Sequence, residues 1–211
     1  MKQFKRAAAL ILTLCMVFAL TACSSKPKAE DAEKYVKAVL DIICTGDYDH
    51  SVNLVDADEM SSTLDEAIDS AVESLSAEVT MSDEVKANFR EVMMDLFAKS
   101  KYTVGEATEV EGGFDVPVTL EPIQVGSTVE DAVNAAVDEL VNDPETANMT
   151  QDDIMNALMQ VVIDALKAEL DDPQYGDSVE VTVRYKELED GVYGVDEADG
   201  EKLGEAMFQA F

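Results

Sequence analysis

The chain has 211 residues, of which 45 are Asp or Glu and 15 are Lys or Arg, giving a formal charge of −30 at neutral pH. That balance excludes a nucleic-acid partner, because phosphate contacts need clustered Lys and Arg, and it disfavours direct contact between the body of the protein and an anionic membrane. Hydrophobic residues still make up 47% of the chain; their regular spacing argues for a folded body, not for the disorder that high charge with low hydrophobicity produces.

The N-terminus comes first. Lys2, Lys5 and Arg6 precede an uncharged apolar run from Ala7 to Leu20, followed by Thr21-Ala22-Cys23. A basic start, a short apolar stretch and small residues before a cut define a secretory signal. The run of fourteen residues falls short of the ~20 that a membrane-spanning helix needs. Leu20-Thr21-Ala22-Cys23 closely resembles the bacterial lipobox. The resemblance implies cleavage between Ala22 and Cys23, a diacylglyceryl thioether on Cys23, and a domain anchored on the extracytoplasmic side of the cell membrane. Several acyl chains on one residue anchor stably where a single chain is marginal. Loss of residues 1–22 removes three basic residues and no acidic ones, so the mature chain is more negative still. Residues 23–29, with Lys26 and Lys28, read as a short cationic tether, and residues 30–211 as a single domain. Cys15 leaves with the leader and Cys23 is lipidated, so Cys44 remains without a disulfide partner and the fold stands on packing.

Helices follow. Tyr35, Val36, Val39, Leu40 and Ile43 form an apolar stripe within Ala29 to Thr45, and Gly46 supplies a stop. Asp47 to Glu59 reads as an irregular acidic segment. Leu64, Ile68, Ala71, Val72, Leu75 and Val79 mark a second helix from Ser62 to Val79. Ser82 caps a third, with Val85, Phe89, Val92, Met93, Leu96 and Phe97 on one face. The period then changes to two. Tyr102, Val104 and Val110 precede a Gly112-Gly113 turn, after which Phe114, Val116, Val118 and Leu120 alternate with polar residues, as in a β-hairpin. Pro117 lacks an N–H donor and predicts an edge strand or a bulge. Ser127-Thr128-Val129-Glu130 has capping-box spacing and opens a helix that Asp143-Pro144 breaks. Thr150 opens another, which ends at Asp172-Pro173. Val179, Val181, Val183 and Tyr185 alternate in a further strand, Glu189-Asp190-Gly191 turns, Val192 to Val195 returns, and Glu197 to Phe211 closes as a helix. Three helices, a hairpin, two inserted helices, a second hairpin and a final helix define an α+β layer fold.

Three phrases carry a family resemblance: Ala32 to Leu40 leading into Gly46-Asp47-Tyr48, Phe114 to Ile123, and Leu188 to Asp196. The body resembles small Gram-positive bacterial lipoproteins of unassigned function whose domain is cystatin-like, in the nuclear-transport-factor-two-like superfamily. The resemblance implies a curved antiparallel sheet of about four strands wrapped on helices to form a cone with a cup. The third phrase departs from the family, which usually has Trp where this chain has Tyr193.

Catalytic material is sparse. His50 is the one histidine in the sequence, so a Ser-His-Asp or Cys-His mechanism would have to use it. It lies in the acidic segment and reads as exposed. Cys44, six residues earlier, reads as a small buried thiol. Enzymes of the superfamily often place His and Asp inside the cup, and here no strand supplies a His. One His and one Cys do not make a zinc site. The acidic clusters Asp47, Asp49, Asp56, Asp58, Glu59 and Asp196, Glu197, Asp199, Glu201 lack the loop order of a calcium site. Asp152-Asp153 and Asp171-Asp172 read as helix-end residues, not an acid/base pair. Met93, Met94, Met155 and Met159 read as adaptable core packing, with a plastic apolar groove as the functional alternative. Arg90, Lys99, Lys101, Arg184 and Lys186 would mark an anion site if they converged.

The expectation is therefore a protein with no catalytic residues, metal or cofactor: a lipid-anchored binding module for a small ligand, a peptide or an envelope partner. A self-associating envelope assembly protein ranks second, and a carboxylate-dependent hydrolase third.

Overall fold

The computed structural model describes residues 11, 20–21, 27–46, 57–124, 127–189 and 191–207. Ala22, Cys23, His50 and the acidic residues Asp47, Asp49 and Asp56 lie outside them, as does the predicted end of the last helix, 208–211.

A two-residue strand β1 (Leu20–Thr21) comes first, and then helix α1 (Ala29–Thr45). The Asp31 carboxylate accepts a hydrogen bond from the Lys28 backbone N–H at 2.8 Å, and Gly46, at φ 66°, donates its N–H to the Ile42 carbonyl. That left-handed residue stops the helix where the sequence placed a stop. Helix α2 (Ala57–Glu78) starts earlier than its apolar stripe predicts. Acidic residues in a first turn suit the helix dipole, so a stretch that looks irregular by hydropathy is helical. In α3 (Asp83–Ala98), the Ser82 hydroxyl accepts from the Val85 N–H, as expected of a cap.

Strands β2 (Lys101–Val104) and β3 (Thr108–Val110) both pair with β4 (Gly113–Glu121). After β5 (Ile123–Gln124) come the inserted helices α4 (Ser127–Asn142) and α5 (Gln151–Asp171), joined through a 3-10 turn at Pro144–Asn148. Strands β6 (Gln174–Tyr175), β7 (Val179–Glu189) and β8 (Val192–Val195) follow, and α6 (Glu197–Met207) closes the fold. The sheet order is β1-β8-β7-β4-β2, antiparallel, with β3 also on β4. The architecture is α+β, a curved antiparallel sheet of four main strands packed on helices, with the two-helix insertion between the hairpins. The two-residue pair β5–β6 closes the base of that insertion, an element too short to show in any hydrophobic period.

Pro117 is not on an edge strand: β4 lies between β7 and β2/β3. Its carbonyl accepts from the Gly105 N–H at 2.8 Å. In an antiparallel pair a residue's N–H and C=O point the same way, so the missing donor faces residues 105–107, where the neighbouring strand is interrupted. The interruption, not the sheet edge, accommodates the proline.

The register sets Phe114 opposite Tyr185, Val116 opposite Val183 and Val118 opposite Val181 on one face. That face is covered by α1: Tyr35 is fully buried with its ring tilted against that of Tyr185, centroids 5.0 Å apart, and Val36, Val39 and Leu40 are also at 0% exposure. The apolar side of the curved sheet is thus filled by the protein's own core. α3 packs on α1 and α2, α5 on α3, and α4 on α5. Beyond the end of β8, α6 covers the edge of β7, where the buried Asp199 carboxylate accepts the Arg184 backbone N–H at 3.0 Å.

Burial pushes the Tyr185 hydroxyl up to about 12, with the charge of Asp31 and then Tyr193 adding to it. Below pH 10 the phenol is neutral in both folded and unfolded chains. Above it the unfolded chain loses the proton first, so stability falls as pH rises from 10 towards 12, by roughly 1 kcal/mol per unit. Urea unfolding across this range is expected to show the slope in the native chain and a shallower one in Tyr185→Phe, Tyr175 keeping its own smaller share.

Candidate functional site

Helix α1 carries a polar line that runs into its apolar C-terminal half. Lys37, Asp41 and Thr45 recur every fourth residue and so lie one above another. Asp41 is the unusual member. Its side chain is 7% exposed, between the buried Leu40 and Ile42. A buried carboxylate requires partners. Lys37 Nζ donates to its two oxygens at 2.6 and 2.8 Å, and the Tyr102 hydroxyl from β2 donates to Oδ1 at 2.5 Å. These fill three of the roughly four acceptor positions a carboxylate offers. Thr45 Oγ1 donates to the Asp41 backbone carbonyl.

This cluster opens into a cleft of about 430 Å³ that wraps around strand β2, reaching Ser100, Lys101, Thr103, Thr119 and Glu121. The volume is that of a small-molecule site. Cross-strand register aligns Thr103 with Thr119 and Lys101 with Glu121, whose charges are 3.9 Å apart. Lys101 Nζ also lies 3.6 Å above the Tyr175 ring. The Tyr175 hydroxyl donates to the Lys99 carbonyl at 2.7 Å, and burial with the Glu121 charge raises its pKa above the ordinary phenol value. The small β5–β6 sheet, which carries Tyr175, therefore helps to fix the cleft wall.

The lining holds two lysines, two carboxylates and several hydroxyls. Its formal charge is zero on a molecule that is elsewhere strongly negative. Donors and acceptors of both kinds face one space, which suits a small polar molecule that is neutral or zwitterionic.

The residues singled out by sequence do not converge here. Cys44 is buried on α1, as read. Arg90 pairs with Asp65 and Asp69 on α2, Arg184 with Asp115 across the sheet, and Lys186 with Asp196. With Lys101 on Glu121, these positive groups are dispersed among separate acids and form no common anion site. Asp196 and Asp199 of the C-terminal acidic cluster are engaged by Lys186, Arg184 and Lys202, and Lys186 holds the Asp196 carboxyl below its ordinary pKa. Among the described residues no group of three or more His, Cys, Asp or Glu is placed to hold a metal ion. Asp153 belongs to a capping box, accepting from the Thr150 backbone N–H and hydroxyl. Asp41 and Tyr102 belong to no sequence motif that marks a site. The available signal was Lys37-x-x-x-Asp41-x-x-x-Thr45, a polar line running into the most apolar part of a helix.

No family model matches the chain, and no curated protein matches it in sequence. Among solved structures it is similar to the "putative lipoprotein" ycdA of Bacillus subtilis subsp. subtilis str. 168, with a TM-score of 0.59 and 15% identity over 84% of this chain and 56% of that one. The chain thus spans little more than half the length of ycdA. At this identity the likeness is one of fold, here a fold shared with a lipoprotein-like chain. Among the described residues no helix is long and apolar enough to cross a membrane.

Proposed function

We propose that this is a lipoprotein held through Cys23 on the extracytoplasmic face of the cell membrane, whose cystatin-like domain, related to the nuclear-transport-factor-two-like superfamily, binds a small neutral or zwitterionic molecule in the α1–β2 cleft. The N-terminal sequence and the likeness to ycdA support the anchor. The observation that carries the binding reading is the charge-balanced cleft built on buried Asp41. An ammonium or hydroxyl donor suits the Asp41–Glu121 side, and a carboxylate or hydroxyl acceptor suits Lys37 and Lys101. Binding in this reading is non-catalytic: three of the roughly four acceptor positions of Asp41 are held by neighbours that orient it, which leaves one for a ligand donor. In a mature chain that begins at Cys23, Leu20–Thr21 are gone and β8 becomes the sheet edge.

The test is a calorimetric titration of sugars, polyols and free amino acids into the native protein and into Asp41→Asn. The expected result is saturable binding of one class, weakened at least tenfold by the substitution. No saturable binding, or binding that Asp41→Asn leaves unchanged, contradicts the assignment.

A further inference from the structure

Among the described residues, three of the four exposed large hydrophobics lie on the α4–α5 hairpin. Val141 is 77% exposed, Val137 39% and Met155 37%. Val137 and Val141 are one turn apart on α4, and Met155 lies in the first turns of α5, so all three lie towards the closed end of the hairpin. The apolar surface continues along α5, where Ile154, Leu158 and Val161 are half-buried, and full burial begins at Ile163. The hairpin thus carries an apolar strip on its surface.

The charge around this strip selects its occupant. The sequence contains no Lys, Arg or His between Lys101 and Lys167. The exposed Asp138, Glu139 and Asp152 border the apolar residues, and no cation of α4 or of the first turns of α5 offsets them. A second copy would set one acidic rim against another, and an anionic bilayer would be repelled in the same way. An amphipathic helix with an apolar stripe and basic flanks matches both features, and a thioether lining such as Met155 adapts to varied side chains. We propose that the closed end of the α4–α5 hairpin is a docking site for a cationic amphipathic helix of a partner protein, separate from the cleft on α1.

The test uses the full chain and a labelled peptide with Leu at i, i+3, i+4 and i+7 spacing and Lys at the remaining positions, read by fluorescence anisotropy. Controls are a scrambled peptide of the same composition and a Leu/Glu counterpart. The amphipathic cationic peptide is expected to bind at least tenfold more tightly than either control. Val141→Asp together with Met155→Asp is expected to weaken it at least tenfold while helical circular dichroism is unchanged. Equal binding of the scrambled or the Leu/Glu peptide overturns the proposal, as does indifference to the double substitution. Sedimentation showing a native dimer that the double substitution dissolves also overturns it, by naming a second copy as the occupant.

Discussion

Asp41→Ala is expected to lower the unfolding free energy by about 3 kcal/mol, whereas replacing the whole cluster, Lys37→Met with Asp41→Leu and Tyr102→Phe, is expected to change it by less than about 1 kcal/mol. The two results have one cause. Removing the carboxylate alone leaves the Tyr102 hydroxyl and Lys37 ammonium, which now meet it at 2.5 to 2.8 Å, facing an emptied apolar niche. Lys37 is half exposed and turns to water, so the loss falls at the lower end of the range for a broken buried pair. Replacing all three groups removes the desolvation penalty with the attraction and leaves packing in its place. Thermal unfolding reads the contrast as a shift of roughly 6–12 °C for Asp41→Ala and little for the triple variant. A triple variant as unstable as the single one would make the cluster a stabilising element, and the argument that it is kept for a ligand would lose its basis.

Gly113→Ala is expected to cost about 3 kcal/mol, more than Gly112→Ala one residue earlier. A Cβ at Gly113 would lie 2.3 Å from the Tyr185 carbonyl oxygen and 3.1 Å from the Lys186 Cβ. Both belong to the paired strand, so β4 and β7 would have to separate at the end where Phe114 meets Tyr185. Overpacking of that kind costs roughly 1–3 kcal/mol, and more where backbone must move. A Cβ at Gly112 meets nothing within 4 Å, but its φ of 86° strains any L side chain, for about 1 kcal/mol. Urea unfolding ranks the two, and near-ultraviolet circular dichroism of the packed Tyr35 and Tyr185 rings is expected to change with Gly113→Ala only. The reverse ranking would mean that the strands are not held at this separation.

The contrast between these glycines shows which information is local. A turn at Gly112-Gly113 is legible in composition, as are α1 with its Gly46 stop, the Ser82 and Thr150 caps, and the alternation of Phe114 to Leu120. Each rests on a neighbour within a few residues. That Gly113 has no room for a side chain depends on a strand that arrives much later in the chain. The start of α2, the β5–β6 pair and the position of Pro117 were also beyond local reading, for three reasons: an acidic first turn hides helical hydropathy, two residues have no period, and a gap in a neighbouring strand is a tertiary fact. The cleft was least legible. Its Lys37 and Asp41 come from one helix, Lys101 and Tyr102 from a strand after two further helices, and Glu121 from the far end of a hairpin. Each reads alone as a common surface residue; only Asp41, set among Leu40, Ile42 and Ile43, breaks the local pattern.

The most direct test is native mass spectrometry of the membrane-extracted protein and of its Asp41→Asn variant, each measured before and after denaturation. The account predicts an acylated Cys23 in both chains, and a small additional mass on the native chain that denaturation releases and that Asp41→Asn does not retain. A bare chain in both samples, or the same additional mass on both, would contradict it.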